Sequence, residues 1–154
     1  VHICFVCTGN ICRSPSAALV MAEQLRRAGL DDRVRVSSAG LGGWHAGDAV
    51  DPRAAAVLAA HGYPVEHVAA QVGPDHLDAD LLVAMDRGHE KALRRQADDP
   101  SRVRLLRSFD PDAAGDPDVP DPYYGGSEGF EEVLTMIEAA MPGLMDRVRE
   151  HLDA

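Results

Sequence analysis

The stretch "VHICFVCTGNICRSPSAALVMAEQLRRAG", residues 1–29, decides the fold. It opens on an apolar, β-branched-rich run that is too short for a helix and halts at Gly9, which predicts a buried strand. From Ser14 the pattern changes. Ser14 suits an N-cap, Pro15 the first helical position and Gly29 the position just past the end, so a helix of about four turns is expected. The order is strand, tight loop, helix.

The pattern recurs downstream. "RVRVSS" (33–38) alternates as a strand, and "DPRAAAVLAAHG" (51–62) carries Asp51 as cap, Pro52 as first helical residue and Gly62 as stop. "ADLLVAMD" (79–86) is a continuous apolar run of the kind found in central parallel strands, and the polar helix "GHEKALRRQA" (88–97) follows it. "RVRLLRSF" (102–109) reads as a fourth strand. The 18 residues "DPDAAGDPDVPDPYYGGS" (110–127) then form a loop, read as a functional lid, before an amphipathic helix that is expected to bend or break near Pro142.

Strands alternating with helices predict a three-layer α/β fold, a four-stranded parallel sheet with helices on both faces, over one domain spanning 1–154. Ligands in such folds bind at the carboxyl edge of the strands, which gathers residues 7–14, 38–47, 86–89 and 110–124 on one rim.

Composition narrows the function. At 154 residues and 45% hydrophobic content the chain can bury a full core. It shows neither a signal peptide nor a membrane span, so a cytoplasmic protein with no membrane partner is expected. It begins at Val1 rather than Met, and missing N-terminal residues are an expectation of that start. A formal charge of −10 argues against nucleic acid as a partner. Three cysteines, all within the first 12 residues, suit a reducing compartment.

"CTGNICRS" (7–14) and the glycine-rich "GLGGWHAG" (40–47) invite several chemical readings. As a redox pair, Cys4 and Cys7 fail, because residues three apart on a strand face opposite ways. No second pair of ligands follows at zinc spacing, so no metal is expected. The phosphate loop of nucleotide hydrolases and the dinucleotide fingerprint are both absent.

The anion reading remains. Five residues between Cys7 and Arg13 can curl with their N–H groups inward, and the helix that follows adds its positive end. Arg13 can grip two oxygens of a tetrahedral dianion with its guanidinium fork. The same field favours Cys7 as a thiolate, so the loop that binds phosphate also activates a nucleophile. Thr8, Gly9, Asn10, Ile11 and Cys12 complete the cradle, Gly9 for close approach and Asn10 for a left-handed turn.

These residues resemble the low-molecular-weight protein tyrosine phosphatase family, most closely that of high-GC Gram-positive bacteria. Its signature C-x5-R-S is matched by Cys7, Arg13 and Ser14, and its acid loop by "DPYYG" (121–125); "SSAG", "WH" and "HVAAQV" also fall where the family has similar segments. The resemblance spans nearly the whole chain. It implies the flavodoxin-like strand order 2-1-3-4, no cofactor, a monomer, and phosphotyrosine-containing proteins as partners.

It further implies hydrolysis through a cysteinyl-phosphate, with Cys7 as nucleophile and Asp121 as general acid and base. Asp110, Asp112, Asp116 and Asp118 share the loop, and only the DPYY context selects Asp121. Ser14 reads both as helix cap and as donor to the Cys7 thiolate. Ser38 and His67 correspond to a network that props up Asn10, with Asp86 a further supporting candidate. Trp44, His45, Tyr123 and Tyr124 are expected to wall the substrate pocket, where aromatic contacts favour phosphotyrosine over the shorter phosphoserine.

Three alternatives remain. Arsenate reductases of the same scaffold relay oxidation through later cysteines, and none follows Cys12. Protein-arginine phosphatases typically carry Thr where this chain has Ile11, and lack the tyrosine pair. In a redox-switched phosphate-binding module Cys7 and Cys12 would answer to peroxide; as a property of the enzyme, a disulfide to Cys12 would protect Cys7 from over-oxidation.

Overall fold

Among the described residues four strands form one sheet: β1 (His2–Cys7), β2 (Arg35–Gly40), β3 (Leu81–Ala84) and β4 (Val103–Leu105), in the order β2-β1-β3-β4. Every pairing is parallel. The chain is described by a computed structural model over residues 1–113, 118–123 and 126–153. Among the described residues five α-helices accompany the sheet: α1 (Arg13–Arg27), α2 (Pro52–Ala60), α3 (Pro74–Leu77), α4 (Arg87–Gln96) and α5 (Ser127–Asp153). Among the described residues no helix is long and apolar enough to cross a membrane.

The continuous apolar character of β1 follows from burial on both faces. Ile3, Phe5 and Cys7 pack into a core shared with α1, α2 and α5, whereas Cys4 and Val6 join Leu82, Ala84 and Leu93 on the α4 side. Cys4 and Cys7 therefore lie on opposite faces of the sheet, and burial pushes the Cys4 thiol up to about 11. Fully burying one side chain such as Phe5 contributes about 1.5–3 kcal/mol.

Local signals hold at α2. Asp51 accepts the Arg53 N–H at 2.9 Å, a cap worth about 1 kcal/mol, and Gly62 leaves the helix at φ 84°. Gly29 ends α1 likewise at φ 72°.

Three local expectations are corrected. α1 begins at Arg13 with Cys12 in the cap position, so Ser14 is not the cap; its hydroxyl is committed elsewhere. The fourth strand is only Val103–Leu105, after which Leu106–Phe109 tightens into a 3₁₀ turn. That turn buries Leu106 and seats the Phe109 carbonyl against Gly143 of α5, where a Cβ would stand 2.3 Å from the oxygen. Finally, α5 is not broken at Pro142. Phe130, Val133, Leu134 and Ile137 before the proline and Leu144, Met145 and Val148 after it dock on the same core, which holds the helix together across the lost hydrogen bond.

Candidate active site

The strand order reverses beside β1, and the crevice at its carboxyl end is where an α/β sheet leaves room for a ligand. A pocket of about 370 Å³ opens there, lined by Cys7, Thr8, Gly9, Ile11, Cys12, Arg13, Trp44, His45, Asp121 and Tyr123. Residues from the strand-to-helix loop, the segment after β2 and the loop before α5 thus meet on the expected rim. Tyr124 and Asp116 lie outside the described residues.

The loop's conformation is built from outside. The carbonyls of Cys7, Thr8 and Ile11 accept the N–H groups of Leu41, Gly42 and Asp51, at 3.0, 3.0 and 2.8 Å. Among the described residues, none of the amides from Gly9 to Cys12 donates to a backbone carbonyl outside helices and strands. They remain available to an anion. Gly40, at the end of β2, permits this tight path: a Cβ there would stand 2.9 Å from the Thr8 carbonyl oxygen and 3.1 Å from the Asn10 nitrogen.

Asn10 takes the left-handed conformation, φ 59°, and its buried side chain is the hub of a directional network. Its Oδ1 accepts the Ala70 N–H at 3.0 Å, and its Nδ2 donates to Ser14 Oγ at 2.8 Å and to Ser38 Oγ at 3.0 Å. Both amide protons are then used, and each serine still has its own proton to give. Ser38 Oγ lies 2.6 Å from His67 Nε2, and Ser14 Oγ lies 2.9 Å from Cys7 Sγ. Burial holds His67 below its ordinary value, which suits an accepting Nε2. The chain of hydrogen bonds ends on the sulfur.

Arg13 is 4% exposed. Its NH1 donates to Asp86 Oδ2 at 2.9 Å and to the Val119 carbonyl at 3.0 Å, which leaves Nε and NH2 for a ligand. Burial pushes the Asp86 carboxyl up, but the His89 N–H, the His89 ring and the Arg13 guanidinium outweigh it and hold it below the usual carboxylate range. Asp121 Oδ2 lies 3.7 Å from Arg13 NH2, and the Tyr123 N–H, 3.0 Å from Asp121 Oδ1, orients that carboxylate.

The walls are aromatic. Trp44 is 76% exposed, and its ring covers Gly42 so closely that a Cβ there would overlap it. The His45 ring lies over Gly9, with its Nδ1 3.2 Å from Asp48 Oδ2. Tyr123 stands against the Arg53 guanidinium, 5.3 Å from its ring centroid, and the same guanidinium lies over Phe130 at 4.7 Å.

Sequence reasoning gave no role to four of these participants: Gly40, Arg53, Val119 and His89. Gly40, His89 and Val119 do fall in the segments expected on the rim, and Arg53 carried no signal. His89 Nε2 is 2.8 Å from Thr8 Oγ1, and burial pulls the ring down to about 4 despite the neighbouring Asp86.

His2, His67 and His76 are likewise lowered by burial. An unfolded chain takes up protons at about pH 6.5 that these folded imidazoles refuse, so stability is full above about 6.5 and declines towards about pH 4. Thermal melting is expected to show a lower midpoint at about pH 5 than at about pH 7; an equal or higher midpoint would contradict these environments.

The profile of the low molecular weight phosphotyrosine protein phosphatases matches residues 2–154. Low molecular weight protein-tyrosine phosphatase A of Mycobacterium tuberculosis is 59% identical over 99% of this chain and 94% of its own length. A crystal structure of a protein tyrosine phosphatase from Entamoeba histolytica, with Hepes in its active site, superposes with a TM-score of 0.92 at 30% identity, covering 98% of each chain. The YwlE arginine phosphatase, in a form with a phosphorylated active-site serine, gives 0.85 at 28% identity over 97% of this chain and 96% of its own. A full-length sequence match and a shared fold agree with the site at the carboxyl end of β1: this chain is a member of the low-molecular-weight protein tyrosine phosphatase family.

Proposed function

We propose that the chain hydrolyses phosphotyrosine in proteins through a cysteinyl-phosphate on Cys7. The observation that carries this reading is the Ser14 hydroxyl on Cys7 Sγ, in one pocket with Arg13 and Asp121. The phosphate dianion sits on the loop amides and on Nε and NH2 of Arg13.

Cys7 sulfur attacks phosphorus, the bond to the tyrosine oxygen breaks, and Asp121 gives its proton to the departing phenolate. Charge on the equatorial oxygens is held by the amides and Arg13 through the transition state. Asp121, now a carboxylate, takes a proton from the water that attacks the phosphorus. The S–P bond breaks, and phosphate and the thiolate are restored. Ser14, Asn10, Ser38 and His67 hold the sulfur and the loop in place, and Asp86 keeps Arg13 in place.

Trp44, Tyr123 and His45 give an aryl ring something to pack on, which favours phosphotyrosine over phosphoserine and phosphoarginine. Peptides carrying each of the three are expected to rank with phosphotyrosine first in kcat/KM. Phosphoarginine in first place would move the assignment to the activity of YwlE.

Cys12 has a second role in this proposal. Peroxide would oxidise the Cys7 thiolate to the sulfenic acid, and the Cys12 sulfur would displace hydroxide from it, closing a disulfide with release of water. Burial pushes the Cys12 thiol up to about 12, so it stays protonated in the resting enzyme. Activity lost to peroxide is expected to return with a dithiol in the parent protein and not in Cys12→Ser. Equal recovery in both would remove Cys12 from this role.

A further inference from the structure

The imidazole of His89 stands between two parts of the site that are 81 residues apart in sequence on one side and one helical turn on the other. Its Nε2 is 2.8 Å from Oγ1 of Thr8, the residue next to the nucleophile. Its Nδ1 is 3.2 Å from Oδ1 of Asp86, buried and with no well-aligned partner of its own. The same Oδ1 accepts the His89 backbone N–H at 2.9 Å as the cap of α4, while Oδ2 of that carboxylate takes Arg13 NH1 at 2.9 Å. The ring is 4% exposed.

The charged groups that act on it are Asp86, Arg13, Asp121 and Asp118, and burial outweighs the three carboxylates, so the ring is neutral at neutral pH. A neutral ring has one proton to place. A lone pair on Nδ1 facing a carboxylate oxygen would be repelled, whereas an N–H there is attracted. The proton therefore belongs on Nδ1, and Nε2 accepts the Thr8 hydroxyl proton. In this tautomer the ring lies between the end of β1 and Asp86, and its Nδ1–H faces the carboxylate that holds Arg13, 3.2 Å from Oδ1.

We propose that His89 is a positioning residue for the phosphatase reaction: it holds Asp86 with one oxygen turned to Arg13 and clamps Thr8, so that the guanidinium is set before the phosphate arrives. This rests on the assignment of Arg13 as the phosphate ligand. His89 touches no reacting atom. Its effect must appear through Arg13, in affinity for the phosphate group, rather than through protonation of the leaving group.

The decisive comparison is between two variants that each keep half of the ring's bonding. In His89→Asn the amide N–H can replace Nδ1–H toward Asp86, and in His89→Gln the longer side chain can replace Nε2 toward Thr8. The readouts are KM and kcat with an aryl phosphate, the inhibition constant of inorganic phosphate, and the melting midpoint. His89→Gln is expected to raise KM and the phosphate inhibition constant together, by about tenfold, the scale of a displaced guanidinium, with a smaller change in kcat. His89→Asn is expected to stay within about threefold of the parent on the same scale. Combining His89→Gln with Asp86→Ala should cost no more than Asp86→Ala alone, since both act along one path.

Gln and Asn variants of equal phosphate affinity, or costs that multiply in the double variant, would overturn the proposal. Arg13→Ala separates the two layers. If Arg13→Ala loses phosphate inhibition while His89→Gln keeps it, only the role of His89 falls. If Arg13→Ala keeps it, the phosphate assignment falls and the role of His89 with it.

Discussion

Replacing Cys7 by Ser is expected to lower aryl-phosphate hydrolysis by roughly 10⁴-fold or more while vanadate still binds, because the variant keeps the cradle and loses the nucleophile. The two chemistries can be separated because different atoms perform them. In the proposed reaction binding belongs to the amides of residues 8–12 and to Arg13, whose NH1 is held by Asp86 and Val119. Nucleophilicity there belongs to Cys7 Sγ, which the Ser14 hydroxyl meets at 2.9 Å. A serine hydroxyl in the same place does not ionise at neutral pH. Phosphate release measured with the parent and Cys7→Ser, alongside vanadate titration of both, checks the claim. Turnover in Cys7→Ser within about tenfold of the parent would require another nucleophile.

The readable parts of this protein were those encoded by neighbours in sequence. The strand, loop and helix of residues 1–29 lie along one continuous segment, as do the Asp51 cap and the Gly29 and Gly62 stops, and each appears where composition and spacing put it. The rim is legible for a related reason: parallel strands place their carboxyl ends together whatever their exact lengths. Ser14 could not be resolved the same way. A serine before proline is a cap by local chemistry, and only the approach of Asn10 and Cys7 shows its hydroxyl engaged elsewhere.

The same reason hid His89 and Arg53. In "GHEKALRRQA" a histidine is one polar residue among many, and its partner Thr8 comes from the far end of the chain. Arg53 sits just after a proline in a helix start, where nothing local announces that it stacks on Tyr123 and Phe130. The shortened β4 has a comparable origin. "RVRLLRSF" carries strand-like alternation, but burial of Leu106 and the close seat of Phe109 on Gly143 favour a turn over further strand.

Asp121→Asn is expected to slow phosphotyrosine hydrolysis by about 10²-fold or more, the ordinary cost of a lost general acid, and far less for an electron-poor aryl phosphate. The difference lies in the leaving group. A tyrosine phenolate, from a hydroxyl with a pKa of about 10, departs poorly without a proton, while an electron-poor phenolate departs readily on its own. The carboxamide of the variant would keep the size of the aspartate and its acceptor for the Tyr123 N–H, which in the parent meets Oδ1 at 3.0 Å, so the loop should keep its shape. What the substitution removes is the proton and the negative charge 3.7 Å from Arg13 NH2. Loss of that charge frees the guanidinium for the dianion, so KM should hold or fall while kcat drops. A structural lesion in the loop would instead raise KM and slow both substrates alike. Steady-state kinetics on the two substrates distinguish these outcomes, and equal slowing of both would transfer the acid role away from Asp121.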